Sequence, residues 1–328
     1  MASRGMAGTT MCVLLSTAAC TSTVTGQGSD SAQPPRPAVI AKSESSHPSL
    51  SATPSRPPVM HRPPPALPQL PRGGRRIFPS YRVVSYYGAA GLPILGVLGT
   101  SDPDSIATQV AAQANGYAAW GRRIQPAFEL IATMAQPCGA DFPACTGPVS
   151  DQTIQQYLDT AHRHKMLLIL DIQPGRQDFL PQLKRLESFL LDPSVEVALD
   201  PEWKLTADEY PIRNIGESSA ASVNAVGRYL STLVTTHQLP DKLLLIHQFL
   251  EEMLPDRQNI TQHPGVEAVL HADGFGDALT KITVYHRLGF PVPPFHSGLK
   301  LFFTRDYGLL SPGQVMALKP QPELISYQ

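Results

Sequence analysis

The chain has 328 residues, 33 of them proline, and a formal net charge of −1 at neutral pH. Basic residues outnumber acidic residues in positions 1–76, and acidic residues outnumber basic ones after them. A mildly acidic domain behind a sparsely basic segment argues against nucleic acid as a substrate or partner.

The amino terminus has the pattern of a bacterial export signal. Arg4 precedes a small, mostly apolar stretch at 9–19, which is shorter than the roughly 20 apolar residues that span a bilayer. The stretch ends in Thr-Ala-Ala before Cys20, which resembles a lipobox, although Thr17 stands where leucine is usual. We expect residues 1–20 to be a lipoprotein-type signal peptide with Cys20 lipidated. Ordinary secretory cleavage is the alternative, so the protein is expected outside the cytoplasm, either lipid-anchored to the membrane or secreted.

Composition divides the remainder into a linker and one domain. Residues 21–76 are rich in Ser, Thr and Pro, which predicts a disordered linker because such a segment buries too little apolar surface. Residues 77–328 have the length of a single (β/α)8 barrel, typically about 250 residues. Cys138 and Cys145 flank what we interpret as one loop, and export favours a disulfide over free thiols or half of a zinc site.

Eight short apolar runs end in acidic, amide or histidine residues. They are Arg82–Tyr87, Gln125–Ile131, Met166–Gln173, Val195–Asp200, Lys242–Phe249, Val266–Asp273, Gly298–Phe303 and Glu323–Tyr327. Apolar runs without alternation are typical of parallel strands that are buried on both faces. Eight of them predict an α/β protein of the (β/α)8 TIM barrel class.

Helices are expected between most of these runs. The predicted segments are 102–120, 150–164, 179–191, 219–237, 251–257, 277–288 and 311–318. Asp102 before Pro103 and Ser150 before Asp151 are typical residues for capping a helix start. No helix is expected after the eighth strand.

Polar side chains at the strand ends are the candidates for function, because barrel chemistry gathers there. We expect Glu202, Asp200 and Asp171 to be catalytic, with Glu202 as general acid. The substrate-binding candidates are Glu129, Gln173, Tyr87, Trp203, His247, Gln248, Asp273 and Lys300. Clustered carboxylates beside aromatic rings predict hydrolysis of glycosidic bonds. The alternative is that these acids form structural ion pairs, for example Asp171 or Asp200 with Lys300.

The motifs resemble those of secreted bacterial, especially actinobacterial, lipoproteins with glycoside-hydrolase-like barrels of unassigned activity. The segments that carry the resemblance are 86–88, 94–96, 129–132, 170–173, 199–202, 247–249, 273–276 and 300–303. Asp200 and Glu202 are also similar to the Asp-x-Glu of family-25 lysozymes and, more loosely, to the end of the chitinase signature. The seventh strand end departs from many retaining barrels, because it carries Lys300 and Phe302 where those enzymes have a glutamate.

The expected partner is a cell-wall or extracellular polysaccharide, bound by a monomer without a cofactor or metal. Two other classes remain open, a non-catalytic carbohydrate-binding or scaffold barrel and a metal-dependent hydrolase. Oxygen and imidazole ligands for the latter could come from the acids named above together with His247. A Schiff-base lyase that uses Lys300 is a further alternative.

Overall fold

The computed structural model describes residues 66–288 and 295–328. The predicted signal peptide, Cys20 and most of the predicted linker lie outside the described residues. None of the helices in the described ranges combines the length and apolar character that crossing a membrane requires.

Eight parallel strands form a closed ring. The strands of the chain are β1 Tyr81–Gly88, β2 Arg123–Ala135, β3 Thr146–Pro148, β4 Leu167–Ile172, β5 Val195–Leu199, β6 Lys242–Gln248, β7 Val266–Ala272, β8 Phe295–Leu301 and β9 Leu324–Tyr327. The order around the ring is β1-β9-β8-β7-β6-β5-β4-β2, and β2 pairs with β1 to close it. The short β3 lies outside the ring and pairs antiparallel with β2. The predicted (β/α)8 barrel is therefore confirmed.

Helices cover the outside of the ring. They are α1 Pro103–Asn115, α2 Asp151–His164, α3 Phe179–Arg185, α4 Glu187–Leu190, α5 Ala220–His237, α6 Ala278–Arg287 and α7 Pro312–Ala317. The side chains of Asp102 and Ser150 accept hydrogen bonds from backbone N–H groups of the first turns of α1 and α2. These bonds satisfy donors that a helix start leaves unpaired, which is why the sequence marks the starts well.

Three predicted helices differ from the structure. The helix expected at 102–120 ends at Asn115, and a separate 3-10 turn forms at Ala118–Trp120. The segment 179–191 is divided into α3 and α4 at Leu186, which has non-helical backbone angles. The predicted helix at 251–257 is wrong, because only 3-10 turns form, at Glu251–Met253 and Arg257–Asn259. Pro255 explains the absence of a helix at 251–257, since it lacks the N–H that would bond to the carbonyl four residues earlier.

The inside of the ring is apolar toward the amino ends of the strands and polar at their carboxyl ends. Strand side chains alternate between the two faces of the sheet, so every second residue points inward. Val83, Ala127, Ile169, Leu245 and Val269 belong to the inner apolar cluster, whereas the larger apolar cluster lies between the strands and the helices. The inward residues that follow them toward the carboxyl end are polar, and they form the site described below.

The amino end of the ring is closed by the residues that lead into β1. Leu70, Ile77 and Phe78 belong to the inner apolar cluster. The Arg75 guanidinium donates to the carbonyl of Leu239 at 2.8 Å, and the Arg72 guanidinium donates to that of Ile124 at 3.0 Å. The folded part thus begins before residue 77, and the chain enters the barrel at its amino end.

A glycine on β8 makes room for a buried histidine. Gly298 lies opposite His271 of β7, and a Cβ atom at this position would stand 2.3 Å from His271 Nδ1. We expect Gly298→Ala to lower the free energy of unfolding by about 1–3 kcal/mol, measured by urea denaturation, because overpacking forces neighbours to move. Gly313→Ala in α7 is the control, since no described atom lies within 4 Å of its added Cβ. Equal midpoints for the two variants would contradict this account.

Candidate functional site

Seven barrel strands each contribute an inward side chain to one buried cluster at the carboxyl end. The cluster consists of Tyr87 from β1, Glu129 from β2, Asp171 from β4, Asp200 after β5, His247 from β6, Asp273 after β7 and Lys300 from β8. These residues come from distant parts of the sequence, and the ring brings their side chains to one end. The sequence predicted all seven as site residues.

Four of these side chains form a chain of alternating charge, which we call the central ion chain. Lys300 Nζ lies 3.2 Å from Asp273 Oδ2, and His247 Nδ1 lies 2.9 Å from the same oxygen. His247 Nε2 lies 2.9 Å from Glu129 Oε1. The alternative interpretation of the sequence paired Lys300 with Asp171 or Asp200, whereas the structure pairs it with Asp273.

The central ion chain keeps its members charged. Burial and Lys300 lower the pKa of His247, but the bonds to Asp273 and Glu129 outweigh them and hold this pKa well above its ordinary value. Burial opposes ionisation of Asp273, yet Lys300 and His247 keep the pKa of this carboxyl well below its usual range. For Lys300, burial lowers the pKa, and the surrounding acids raise it by more. Two cations and two anions thus compensate each other in the interior.

Tyr87 connects the central ion chain to Asp171. Its hydroxyl donates to Asp171 Oδ2 at 2.9 Å and accepts a hydrogen bond from Gln173 Nε2 at 3.2 Å. The Lys300 ammonium lies 3.5 Å from the centre of the Tyr87 ring, which is a cation–π contact. Burial raises the pKa of Tyr87 well above its ordinary value, so the hydroxyl stays a proton donor.

Gln173 also ties this part of the site to the disulfide loop. Cys138 and Cys145 are joined by the predicted disulfide, in the segment that follows β2. Thr146 Oγ1, next to Cys145, donates to the Gln173 carbonyl at 2.7 Å, and the backbone N–H of Ala135 donates to Gln173 Oε1 at 2.9 Å. The disulfide loop therefore lies against the residue that holds the Tyr87 hydroxyl.

Asp171 and Asp200 differ from the acids of the central ion chain. Burial, and after it the charge of Asp200, raise the pKa of Asp171 to about 8. Burial also raises the pKa of Asp200 to about 7, with Glu202 adding to the effect. The Oδ1 atoms of both side chains are buried and accept no hydrogen bond from any described residue. A substantial share of each carboxyl is protonated at neutral pH.

Glu202 is the most exposed of the acids predicted as site residues. It lies in the 3-10 turn Pro201–Trp203 after β5 and is partly exposed. Burial and the negative charge of Asp273 raise the pKa of Glu202 to about 7, although Lys300, His247 and Arg305 oppose this shift. A carboxyl that gains and loses its proton near neutral pH is suited to general acid–base catalysis.

The raised pKa of Asp171 makes stability depend on pH. The folded protein holds this proton up to pH about 8, whereas an unfolded aspartate releases it near pH 4. Between these values the unfolded state binds fewer protons, so the contribution of Asp171 to stability falls as pH rises. We expect Asp171→Asn to gain stability relative to the wild type by up to about 1.4 kcal/mol per pH unit in this window.

Urea unfolding at pH 5, 6.5 and 8 measures this difference. Asp208→Asn is the control, because Asp208 is exposed in the loop after β5. Its stability should follow that of the wild type at all three pH values. Parallel curves for Asp171→Asn and the wild type would show that Asp171 is ionised in the folded protein.

The structure places the predicted binding residue Gln248 outside the cluster. Gln248 faces away from the interior, because it follows the inward His247 on the same strand. Its amide donates to the Leu250 carbonyl at 3.0 Å and accepts a hydrogen bond from Arg257 at 3.2 Å. Trp203 lies next to Glu202 in the same turn and is partly exposed.

Three further residues join the cluster and were not predicted as site residues. Ser85 Oγ donates to Glu129 Oε2 at 2.9 Å. His271 Nε2 lies 2.7 Å from Ser326 Oγ, and the ring of His271 lies 5.1 Å from that of His247. Strand alternation could have identified two of them from the sequence. Ser85 stands two positions before Tyr87 and His271 two positions before Asp273, so each lies on the same inward face as the predicted residue. Burial and His247 lower the pKa of His271 to about 3, so this ring is neutral.

Large apolar side chains are exposed in the segments that follow four of the barrel strands, β1, β5, β7 and β8, at their carboxyl ends. Eleven large hydrophobic residues are exposed in the described ranges. Nine of them lie in segments that lead from a barrel strand to the next helix, and a tenth, Leu279, lies in the first turn of α6. The ten are Leu92, Ile94, Tyr210, Ile212, Ile215, Phe275, Leu279, Phe303, Tyr307 and Leu309. We call this set the apolar rim. Exposed apolar surface concentrated at one end of a domain is typical of a binding site.

Within the described residues, no group of three His, Cys, Asp or Glu side chains is arranged to hold a metal ion. No protein-family model matches this chain. The curated proteins also contain no match to it.

Proposed function

We propose that this chain is a glycoside hydrolase of the cell envelope that cleaves cell-wall or extracellular polysaccharide. The observation that carries the proposal is the placement of Glu202 at the carboxyl end of the barrel, where Asp273 forms ion pairs with two cations, His247 and Lys300. Glycoside hydrolysis needs one protonated and one ionised carboxyl group in the same site. Environments that push the pKa values of two acids apart assign these two roles.

The apolar rim supports a sugar ligand. Four of its members are aromatic, namely Tyr210, Phe275, Phe303 and Tyr307. Flat aromatic faces suit the apolar faces of sugar rings, and a polysaccharide extends beyond the single sugar unit that is cleaved. Aromatic residues spread around the mouth would therefore contact the units on either side.

The proposed location rests on the sequence. The signal pattern before Cys20 and the resemblance to secreted bacterial lipoproteins support export and lipid anchoring. A disulfide is typical of proteins outside the cytoplasm, and Cys138 and Cys145 form one. In this proposal the protein acts as a monomer, and only its lipid contacts the membrane.

The test is a screen of the full-length protein against cell-wall and plant-type polysaccharides, with release of reducing ends as the readout. Glu202→Gln is screened in parallel, because glutamine keeps the shape of the side chain but has no proton to donate. Product from the wild type alone supports the proposal. Equal product from both proteins would remove the assignment of Glu202, and no product from any polysaccharide would remove the hydrolase.

A non-catalytic carbohydrate-binding barrel is the second candidate. It is favoured by the central ion chain, whose charges satisfy one another without a ligand. Saturable binding of a polysaccharide by the wild type without turnover would support this candidate over the enzyme. The Schiff-base alternative has less support, because the ion pair with Asp273 keeps Lys300 protonated and a protonated amine is not a nucleophile.

A further inference from the structure

Asp273 is the carboxylate of the central ion chain that lies closest to the mouth of the barrel. Its side chain is 7% exposed, whereas Glu129 is fully buried. Asp171 and Asp200, which the sequence predicted as partners of Glu202, are 0% and 2% exposed. We infer that Asp273 is the nucleophile that attacks the anomeric carbon, with Glu202 as its acid partner. This inference rests on the proposed hydrolase function.

The contacts of Asp273 leave one oxygen uncommitted. Oδ2 accepts hydrogen bonds from both His247 Nδ1 and Lys300 Nζ, which fixes the carboxylate in place. Oδ1 is buried and accepts no hydrogen bond from any described residue, like Oδ1 of Asp171 and Asp200, but only in Asp273 is the other oxygen held by two cations. A carboxylate held through one oxygen can use the other to form a bond.

The charge of Asp273 also fits a nucleophile better than that of its neighbours. Lys300 and His247 keep Asp273 ionised, while burial keeps a proton on much of Asp171 and Asp200 at neutral pH. A protonated carboxyl cannot attack carbon. Glu202 follows β5 and Asp273 follows β7, so both carboxyls lie at the carboxyl end of the ring, and after burial the charge of Asp273 has the largest effect on the pKa of Glu202.

The reaction balances with these two residues and water. An electron pair on Asp273 forms a bond to the anomeric carbon while the glycosidic C–O bond breaks. The electron pair of that bond goes to the leaving oxygen, which takes the proton of Glu202. The ionised Glu202 then removes a proton from water, and the water oxygen attacks the anomeric carbon. The ester bond breaks, Asp273 recovers its negative charge, and Glu202 is protonated again.

The central ion chain would assist the second half of this reaction. When Asp273 forms the ester it becomes neutral, and Lys300 and His247 lose the charge that they face. Breaking the ester restores that charge, so the two cations favour departure of Asp273 as a carboxylate. Two displacements at the same carbon retain its configuration.

The test uses the full-length protein and a panel of dinitrophenyl glycosides, with their fluorinated analogues at the second sugar carbon as trapping reagents. We expect the trapped sugar on Asp273 by peptide mass mapping and a retained anomer by proton NMR. Asp273→Gly should lose activity by at least about a thousandfold. Azide should restore it by forming a glycosyl azide of inverted configuration. Asp208→Asn, exposed in the loop after β5, should keep full activity.

The possible failures are distinguishable. A sugar trapped on Asp171 or Asp200, or an inverted product from the wild type, would overturn the inference while the hydrolase stands. An isosteric Asp273→Asn variant that folds normally and keeps more than a tenth of wild-type activity would do the same. Absence of hydrolysis and trapping by the wild type on every glycoside and polysaccharide would overturn the proposed function, and the inference with it.

Discussion

Replacing Glu202 with glutamine is expected to lower kcat on polysaccharide by about a hundredfold to ten-thousandfold, which is the usual contribution of a general acid. The leaving oxygen of a polysaccharide is strongly basic and needs a proton as its bond breaks. A dinitrophenolate does not need this proton, so Glu202→Gln should lose much less activity in the first step on dinitrophenyl glycosides. The ratio of the two losses measures proton donation separately from folding.

The pH profile provides a second measurement of the same role. The pKa of Glu202 is about 7, and only the protonated form donates. Wild-type activity on polysaccharide should therefore be high below pH 7 and fall as pH rises through this value. Glu217→Gln, exposed in the same loop, is the matched control and should keep the wild-type profile. An unchanged alkaline limb in Glu202→Gln would assign that limb to another group.

Lys300→Met is expected to have the largest effect on stability, a loss of about 3–5 kcal/mol in the free energy of unfolding. Methionine fills the space of the lysine stem but removes the charge that Asp273 faces at 3.2 Å. Asp273 is then left buried with His247 as its remaining cation, and His247 also faces Glu129. Because a protonated Asp273 needs no cation, the loss should become smaller as the pH is lowered.

A partly exposed ion pair supplies the control for this experiment. Lys204 Nζ lies 3.3 Å from Asp178 Oδ1, and the two side chains are 22% and 69% exposed, against 3% and 7% for Lys300 and Asp273. Exposed pairs contribute about 0–1 kcal/mol, so Lys204→Met should change the urea midpoint little. Similar losses in Lys300→Met and Lys204→Met would mean that the central ion chain contributes no more than a surface pair.

Much of the fold could be predicted from the sequence because its signals are local. A run such as 167–170 is apolar without alternation, which few structures other than a strand buried on both faces accommodate. Asp102 and Ser150 marked helix starts because short polar side chains bond to the free N–H groups there. Pro255 carried an equally local signal against a helix at 251–257, and the prediction overlooked it.

The membership of the site was predictable in the same way, but its pairings were not. Each polar residue at a strand end could be identified from its own segment, and strand alternation would have excluded Gln248 once His247 was placed inward. Whether Lys300 meets Asp171, Asp200 or Asp273 depends on the tilt and stagger of the strands around the ring. These are properties of all eight strands together, so no single segment contains them.

The point at which the chain enters the barrel has a consequence for any anchored form of the protein. Hydrogen bonds from Arg72 and Arg75 hold the entering segment at the amino end of the ring, and Glu202 lies at the carboxyl end. A lipid attached upstream would thus be joined to the barrel through its amino end, and the end that carries Glu202 would lie away from the point where the linker is attached. In the proposed anchored form, long polymers could then reach Glu202 without passing that point.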